Sequence, residues 1–173
     1  MHKIVSDYLK DNNYQVVSQD EERPWGRFYV FQVGDNYDKK ILWVKPQNLL
    51  SLQYHGSKIQ PGHSENWLAL TDFRILISKQ NALEYPNYEE KTLLNDLEIR
   101  DIKTGSEINI PAGHMHALVN PYLHDIFLVE TRTSAKNESS KDREDNIVRV
   151  YDLTQRNNTP SYPKNLYSEL MRI

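Results

Sequence analysis

Cysteine is absent from all 173 residues. That excludes a disulfide framework and any thiolate metal site, and leaves no argument for secretion. Nowhere do about 18 apolar residues follow one another, the length a membrane-spanning helix requires. Met1-His2-Lys3 opens a mixed polar segment without an apolar run of signal length. A soluble, cytoplasmic protein without a membrane partner is expected. Basic excess is missing as well. With 21 Lys and Arg against 24 Asp and Glu, the net charge of −3 creates no field for capturing nucleic acid. A small-molecule or protein partner is the better expectation. Helical patterning is confined to the two ends, and no internal linker interrupts a chain whose length suits one domain.

Strand patterning fills the rest. "RFYVFQV", "KKILWVK", "LLSLQYH", "NWLAL", "FRILIS", "EINI", "MHALV", "DIFLVET" and "NIVRVYD" are short runs rich in β-branched and aromatic residues, separated by Gly, Pro, Asn and Asp. About nine strands at such spacing predict an all-β sandwich or barrel. At the N-terminus, Ile4, Val5, Tyr8 and Leu9 form one helical stripe, and "SYPKNLYSELMRI" predicts a second short helix at the other end. The expected organisation is a helical extension over residues 1–22, a barrel over 23–156 and a tail over 157–173. Three stretches break the rhythm: "GSKIQPG" reads as an inserted loop, the acidic segment from Glu84 to Asp96 as a lid, and "SAKNESSKDREDN" as a mobile surface loop.

Two clusters carry chemistry. In "LLSLQYHGSKIQPGHSENWLAL", period-two parity puts Ser51, Gln53 and His55 on one face and Leu50, Leu52 and Tyr54 on the other; after the loop, His63 and Glu65 again share a face. In "GSEINIPAGHMHALVN", Pro111-Ala112-Gly113 stops a strand, after which His114 and His116 share a face opposite Ala117 and Val119. Imidazole, carboxylate and amide donors without thiolate suit zinc, manganese, iron, cobalt or nickel. A histidine near a glutamine on one strand is common by itself. Two such clusters on separate strands, converging through His116, would complete a two-histidine, one-carboxylate set with an open position.

The second cluster resembles the second cupin motif at every fixed position: Gly105, Pro111, Gly113, His116 and Asn120. The wider chain, from about Arg23 to Arg156, is similar to the cupin-type (type II) mannose-6-phosphate isomerase domain. "RPWGRFYVF" resembles that family's opening, "YDKKILWVKPQNLLSLQYH" its next block, "FLVET" the strand after the second motif, and "EDNIVRVYDLTQR" its closing signature. The resemblance implies a double-stranded β-helix, or jelly-roll barrel, around a divalent metal ion, zinc first among the candidates. It implies Gln53, His55, Glu65 and His116 as ligands, which demotes His63 and His114. It also implies a homodimer, a sugar-phosphate substrate and a place in carbohydrate metabolism and nucleotide-sugar biosynthesis.

Aldose–ketose isomerisation moves a proton between adjacent carbons through an enediol, and so needs an electrophile on two oxygens and a base near the carbon. Glu130 is the candidate base if it points inward, with Val129 and Thr131 outward. Lys40 and Arg149 are candidate catalytic and substrate-holding residues, with Arg23 a further substrate holder and Trp25 a core plug. Several basic residues of the family are replaced here: Asn66 follows the glutamate, Ala117 follows the second-motif histidine, and Ile41 follows Lys40. Nine residues separate His55 from Glu65, a wide first motif. The alternatives kept open are therefore another metal cupin, such as a free-sugar isomerase or iron dioxygenase, and a non-catalytic sugar-binding cupin.

Overall fold

A run of alternating side chains can bury one face on a neighbour and leave the other to a second layer, and this chain uses both faces of nearly every strand. The computed structural model describes residues 1–20, 23–56, 62–84, 95–134 and 146–173. The inserted loop, the acidic lid and the mobile loop expected from sequence lie, apart from their ends, outside the described residues.

Twelve strands are present among the described residues. One sheet holds β1 (Ser18–Gln19), β2 (Gly26–Val33), β3 (Tyr37–Val44), β6 (His63–Ala69), β9 (Glu107–Ile110) and β11 (Ile126–Ser134), in the order β1-β2-β3-β11-β6-β9. The other holds β4 (Asn48–Leu49), β5 (Leu52–His55), β7 (Phe73–Asn81), β8 (Leu97–Ile102), β10 (His114–Asn120) and β12 (Ile147–Tyr151), in the order β12-β5-β10-β7-β8, with β4 also on β10. Every pairing is antiparallel. The two expected helices are α1 (Lys3–Asp11) and α2 (Lys164–Leu170).

Parity divides the apolar residues into three layers. Leu42, Val44, Trp67, Phe73, Ile75, Leu118, Ile126 and Leu128 fill the space between the sheets. Val5 and Leu9 of α1 cover Phe127 and Val129 on the outside of the first sheet. Leu166 and Leu170 of α2 cover Leu76, Ala117 and Val119 on the outside of the second. Arg74 fastens α2 by donating to the Leu170 carbonyl at 2.9 Å while its other nitrogens bond Asp101.

Two strand expectations need correction. β8 was not anticipated, because "LEIRDI" mixes charge with only three apolar residues; as an edge strand it keeps Arg100 and Asp101 exposed. "LLSLQYH" is two strands, not one. At the break the Leu50 N–H donates to the Leu118 carbonyl at 2.9 Å and the Tyr162 hydroxyl donates to the Leu50 carbonyl at 2.7 Å. Leu50 thereby turns inward against the inner core, contrary to the parity expectation, while Leu52 and Tyr54 pack outward as expected.

Candidate metal centre

The barrel interior changes character along its strands. On β11, Ile126 and Leu128 face the apolar core, but the next inward residues are Glu130 and Arg132. On β3, Leu42 and Val44 give way to Asp38 and Lys40; on β10, Leu118 to His116; on β6, Trp67 and Ala69 to Glu65 and His63. One end is therefore a hydrophobic plug, and the other a polar bowl holding residues that rarely bury without partners.

His55, Glu65 and His116 meet in that bowl, each buried, with one ligand atom apiece within 4.8 Å of the others. Glu65 Oε1 lies 3.0 Å from His55 Nε2, and Oε2 lies 3.2 Å from His116 Nε2. Neither nitrogen has a hydrogen-bond partner among the described residues. Three donor atoms this close together, on three different strands, can share one ion. Two imidazoles and a carboxylate in this arrangement could bind a metal, and their chemistry fits a divalent ion. His116 Nδ1 lies 2.9 Å from the His114 carbonyl and donates to it, which leaves Nε2 bare for metal. A bulge in the β7–β10 register between His114 and His116 turns that carbonyl into place. Gly113 sets the corner before it: at φ +79° an added Cβ would lie 2.1 Å from Asn81 Oδ1, and its N–H donates to the His55 carbonyl at 3.1 Å.

Electrostatics follow from burial and this geometry. Burial lowers the His55 imidazole to about 4, against the pull of Glu65. Burial also opposes charge on His116, but Glu65 and the His114 carbonyl outweigh it and the net shift is upward. Burial opposes ionisation of Glu65 too, yet the two histidines hold it well below the carboxylate range.

The remaining candidates border one cavity. Arg23, Lys40, Gln53, Glu130 and Arg149 line it together with His55 and Glu65. Gln53 stands opposite both His116 and Arg149 in the strand register and accepts from the Ser51 hydroxyl at 2.8 Å. Glu130 points inward with Val129 outward, and Lys40 Nζ lies 2.9 Å from its Oε1 and 5.0 Å from the Phe28 ring centre. Burial, with Glu65 adding to it, pushes Glu130 up to about 7 despite Lys40 and Arg132. Arg23 bonds Asp20 and stands over Phe28.

His63 is buried beside the set, its ring 3.9 Å from that of His55 and its Nε2 3.5 Å from Glu65, but it is not one of the three converging donors. His114 contributes its backbone, not its ring. Trp67 is a core residue whose indole N–H donates to Glu65 Oε2 at 2.9 Å. Asp38 was missed from sequence, although it is two residues from Lys40 and so shares its face of β3, as Arg132 shares that of Glu130 on β11.

Two closely packed antiparallel sheets with inward-facing histidines and a glutamate define a cupin barrel. The family model described as mannose-6-phosphate isomerase C-terminal matches residues 10–152, and the chain belongs to that family. Among curated relatives it is 29% identical over 150 residues to a mannose-1-phosphate guanylyltransferase of Salmonella muenchen, covering 86% of this chain and 26% of that protein. A relative of the same name from Sinorhizobium fredii is 30% identical over 138 residues, covering 80% and 22%. The chain thus spans about a quarter of the length of these relatives. The capsular polysaccharide assembling protein CapF of Staphylococcus aureus superposes with a TM-score of 0.55 at 13% identity, over 76% of this chain and 33% of that one. A variant of Bacillus subtilis oxalate decarboxylase gives 0.55 at 16% identity, over 88% and 34%. These two likenesses concern the fold alone.

Proposed function

We propose that the protein is a metal-dependent aldose–ketose isomerase of sugar phosphates, interconverting mannose 6-phosphate and fructose 6-phosphate through an enediol. The observation that carries this reading is a buried carboxyl group, Glu130, on the wall of the same cavity as a converging His–Glu–His set. Family membership and relatives named for a mannose phosphate support the choice of sugar.

His55, Glu65 and His116 hold the ion, with the Gln53 amide as fourth ligand. A divalent ion there supplies Lewis acidity toward the neighbouring carbonyl and hydroxyl oxygens of the sugar. Glu130 takes the proton from carbon 2 and returns it to carbon 1, while the hydroxyl proton passes from oxygen 2 to oxygen 1; burial and Lys40 suit Glu130 to both halves, because its acidity lies near neutrality. Lys40 orients Glu130 and donates to a substrate oxygen. Arg149 and Arg23 hold the phosphate from the cavity wall as charge-assisted donors.

The test is a proton NMR time course of metal-reconstituted protein with mannose 6-phosphate in heavy water. The expected result is fructose 6-phosphate, with deuterium appearing at carbon 2 of recovered mannose 6-phosphate. Silence from protein that demonstrably holds metal overturns the isomerase reading; oxygen consumption would point to a dioxygenase instead.

A further inference from the structure

Arg132 occupies an unusual place in the register of the first sheet. On one side its backbone partner is Asp38 of β3, and on the other it is Glu65 of β6. The three side chains form one row on the inner face, and all are buried, at 1%, 2% and 3% exposure for Asp38, Arg132 and Glu65. Directly opposed residues of antiparallel strands lie about 5 Å apart, so a guanidinium on the middle strand reaches either neighbour. Both neighbours are carboxylates. A bidentate fork is the strongest pairing available to each.

The fork goes to Asp38, with Nε 2.8 Å from Oδ1 and Nη2 2.9 Å from Oδ2. Glu65 faces His55, His116 and the Trp67 indole instead. We propose that Asp38 is a positioning residue: by fixing the Arg132 guanidinium it keeps that cation off Glu65 and leaves the Glu65 carboxylate available to a divalent ion. The proposal rests on the reading of His55, Glu65 and His116 as the metal set.

Two physical arguments support it. First, removing the Asp38 charge leaves the buried Arg132 guanidinium drawn more strongly to the other carboxylates in reach, since a poorly compensated charge in that environment is costly. The candidates are Glu65, opposite it in the ladder, and Glu130, whose Oε1 is already 3.7 Å from Arg132 Nε. Either choice degrades the site: the first masks a ligand, and the second competes with Lys40 for the proton carrier. Second, the Asp38–Arg132 pair is neutral as a unit. A metal at Glu65 therefore meets a compensated neighbour in place of a bare cation, and repulsion at this separation inside a protein is substantial.

The experiment titrates cobalt into metal-stripped wild type, Asp38→Asn and the double variant Asp38→Asn/Arg132→Gln, reading affinity by competition with a chelator and ligand geometry by the visible cobalt spectrum. Asp38→Asn is expected to bind roughly tenfold or more weakly, the range seen when groups that orient ligands are lost. The double variant removes the cation as well as its guard, and is expected to return to within about threefold of wild type. A merely structural role for the pair makes the double variant no better than the single one. The proposal is overturned if Asp38→Asn binds cobalt like wild type with an unchanged spectrum, or if the double variant, folded by circular dichroism, binds as weakly as the single variant. Should Asp38→Asn be too unstable to titrate, Asp38→Ser takes its place as the single variant under the same criteria. Absence of cobalt binding by wild type would overturn the metal reading itself, and this proposal with it.

Discussion

Each donor in the bowl has a distinguishable consequence when altered. His55→Ala and His116→Ala are each expected to abolish metal retention measured by elemental analysis after gel filtration, whereas His114→Ala retains it because the bond to His116 comes from the His114 backbone. Equal retention in all three variants would refute the assigned set. Glu130→Gln keeps the shape and removes the proposed proton carrier; for the proposed isomerisation, kcat should fall by roughly 10²–10⁴ with metal content unchanged. The metal-free protein has a readable pH dependence. His116 is raised from its usual 6.5 and Glu130 from 4.5 to about 7, so both favour the protonated folded form. The stability they contribute is complete below their unfolded values and is lost as pH rises through the folded ones. Between pH 6.5 and 8 the melting temperature of metal-free protein should therefore fall. Metal requires the neutral imidazole, so the stabilisation on adding metal should grow over the same interval. Calorimetry at the two pH values, with and without metal, checks both signs.

The strands, and the corners between them, decide which of these groups meet. Gly113 illustrates the point: its left-handed backbone admits no side chain without collision at Asn81, and it ties the start of β10 to the end of β5. Gly113→Ala should cost about 1–3 kcal/mol in denaturant unfolding and weaken metal binding by displacing His116. Much of this level was legible in the sequence. Period-two alternation put Gln53 with His55, and His63 with Glu65, on the inner side of a hairpin and grouped His116 with His114 on one face; it left the direction of Glu130 open, and Pro111 with Gly113 announced the corner. What escaped has physical causes. β8 is a charged edge strand whose apolar residues are too few to signal a face. Leu50 left its parity because a cross-strand bond and the Tyr162 hydroxyl, 112 residues away, bend the chain there. Asp38 and Arg132 had the right parity, but burial of a charge depends on a partner that one strand alone does not reveal.

Strand order was the least legible feature, because β3 joins β11 and β5 joins β12 through contacts between distant parts of the chain. The resulting division into an apolar plug and a polar bowl separates stability from chemistry. Phe73, Ile75 and Leu128 belong to the plug, and none of them is a candidate metal ligand. Chelation should consequently leave far-ultraviolet circular dichroism unchanged, in contrast to Phe73→Ala, which opens a cavity in the plug and should cost about 3–5 kcal/mol. Among the described residues no helix is long and apolar enough to cross a membrane.

The hydrogen bond from Trp67 to Glu65 joins the plug to the bowl, and its effect extends to light. An indole N–H donating to a carboxylate senses that carboxylate's charge, so the ultraviolet emission of Trp67 should change when an ion draws electron density from Glu65. The chain carries three tryptophans, and Trp67→Phe should erase the metal-dependent part of the signal while Trp25 and Trp43 continue to emit. The protein thus contains its own fluorescent gauge of occupancy, readable without a label or a substrate.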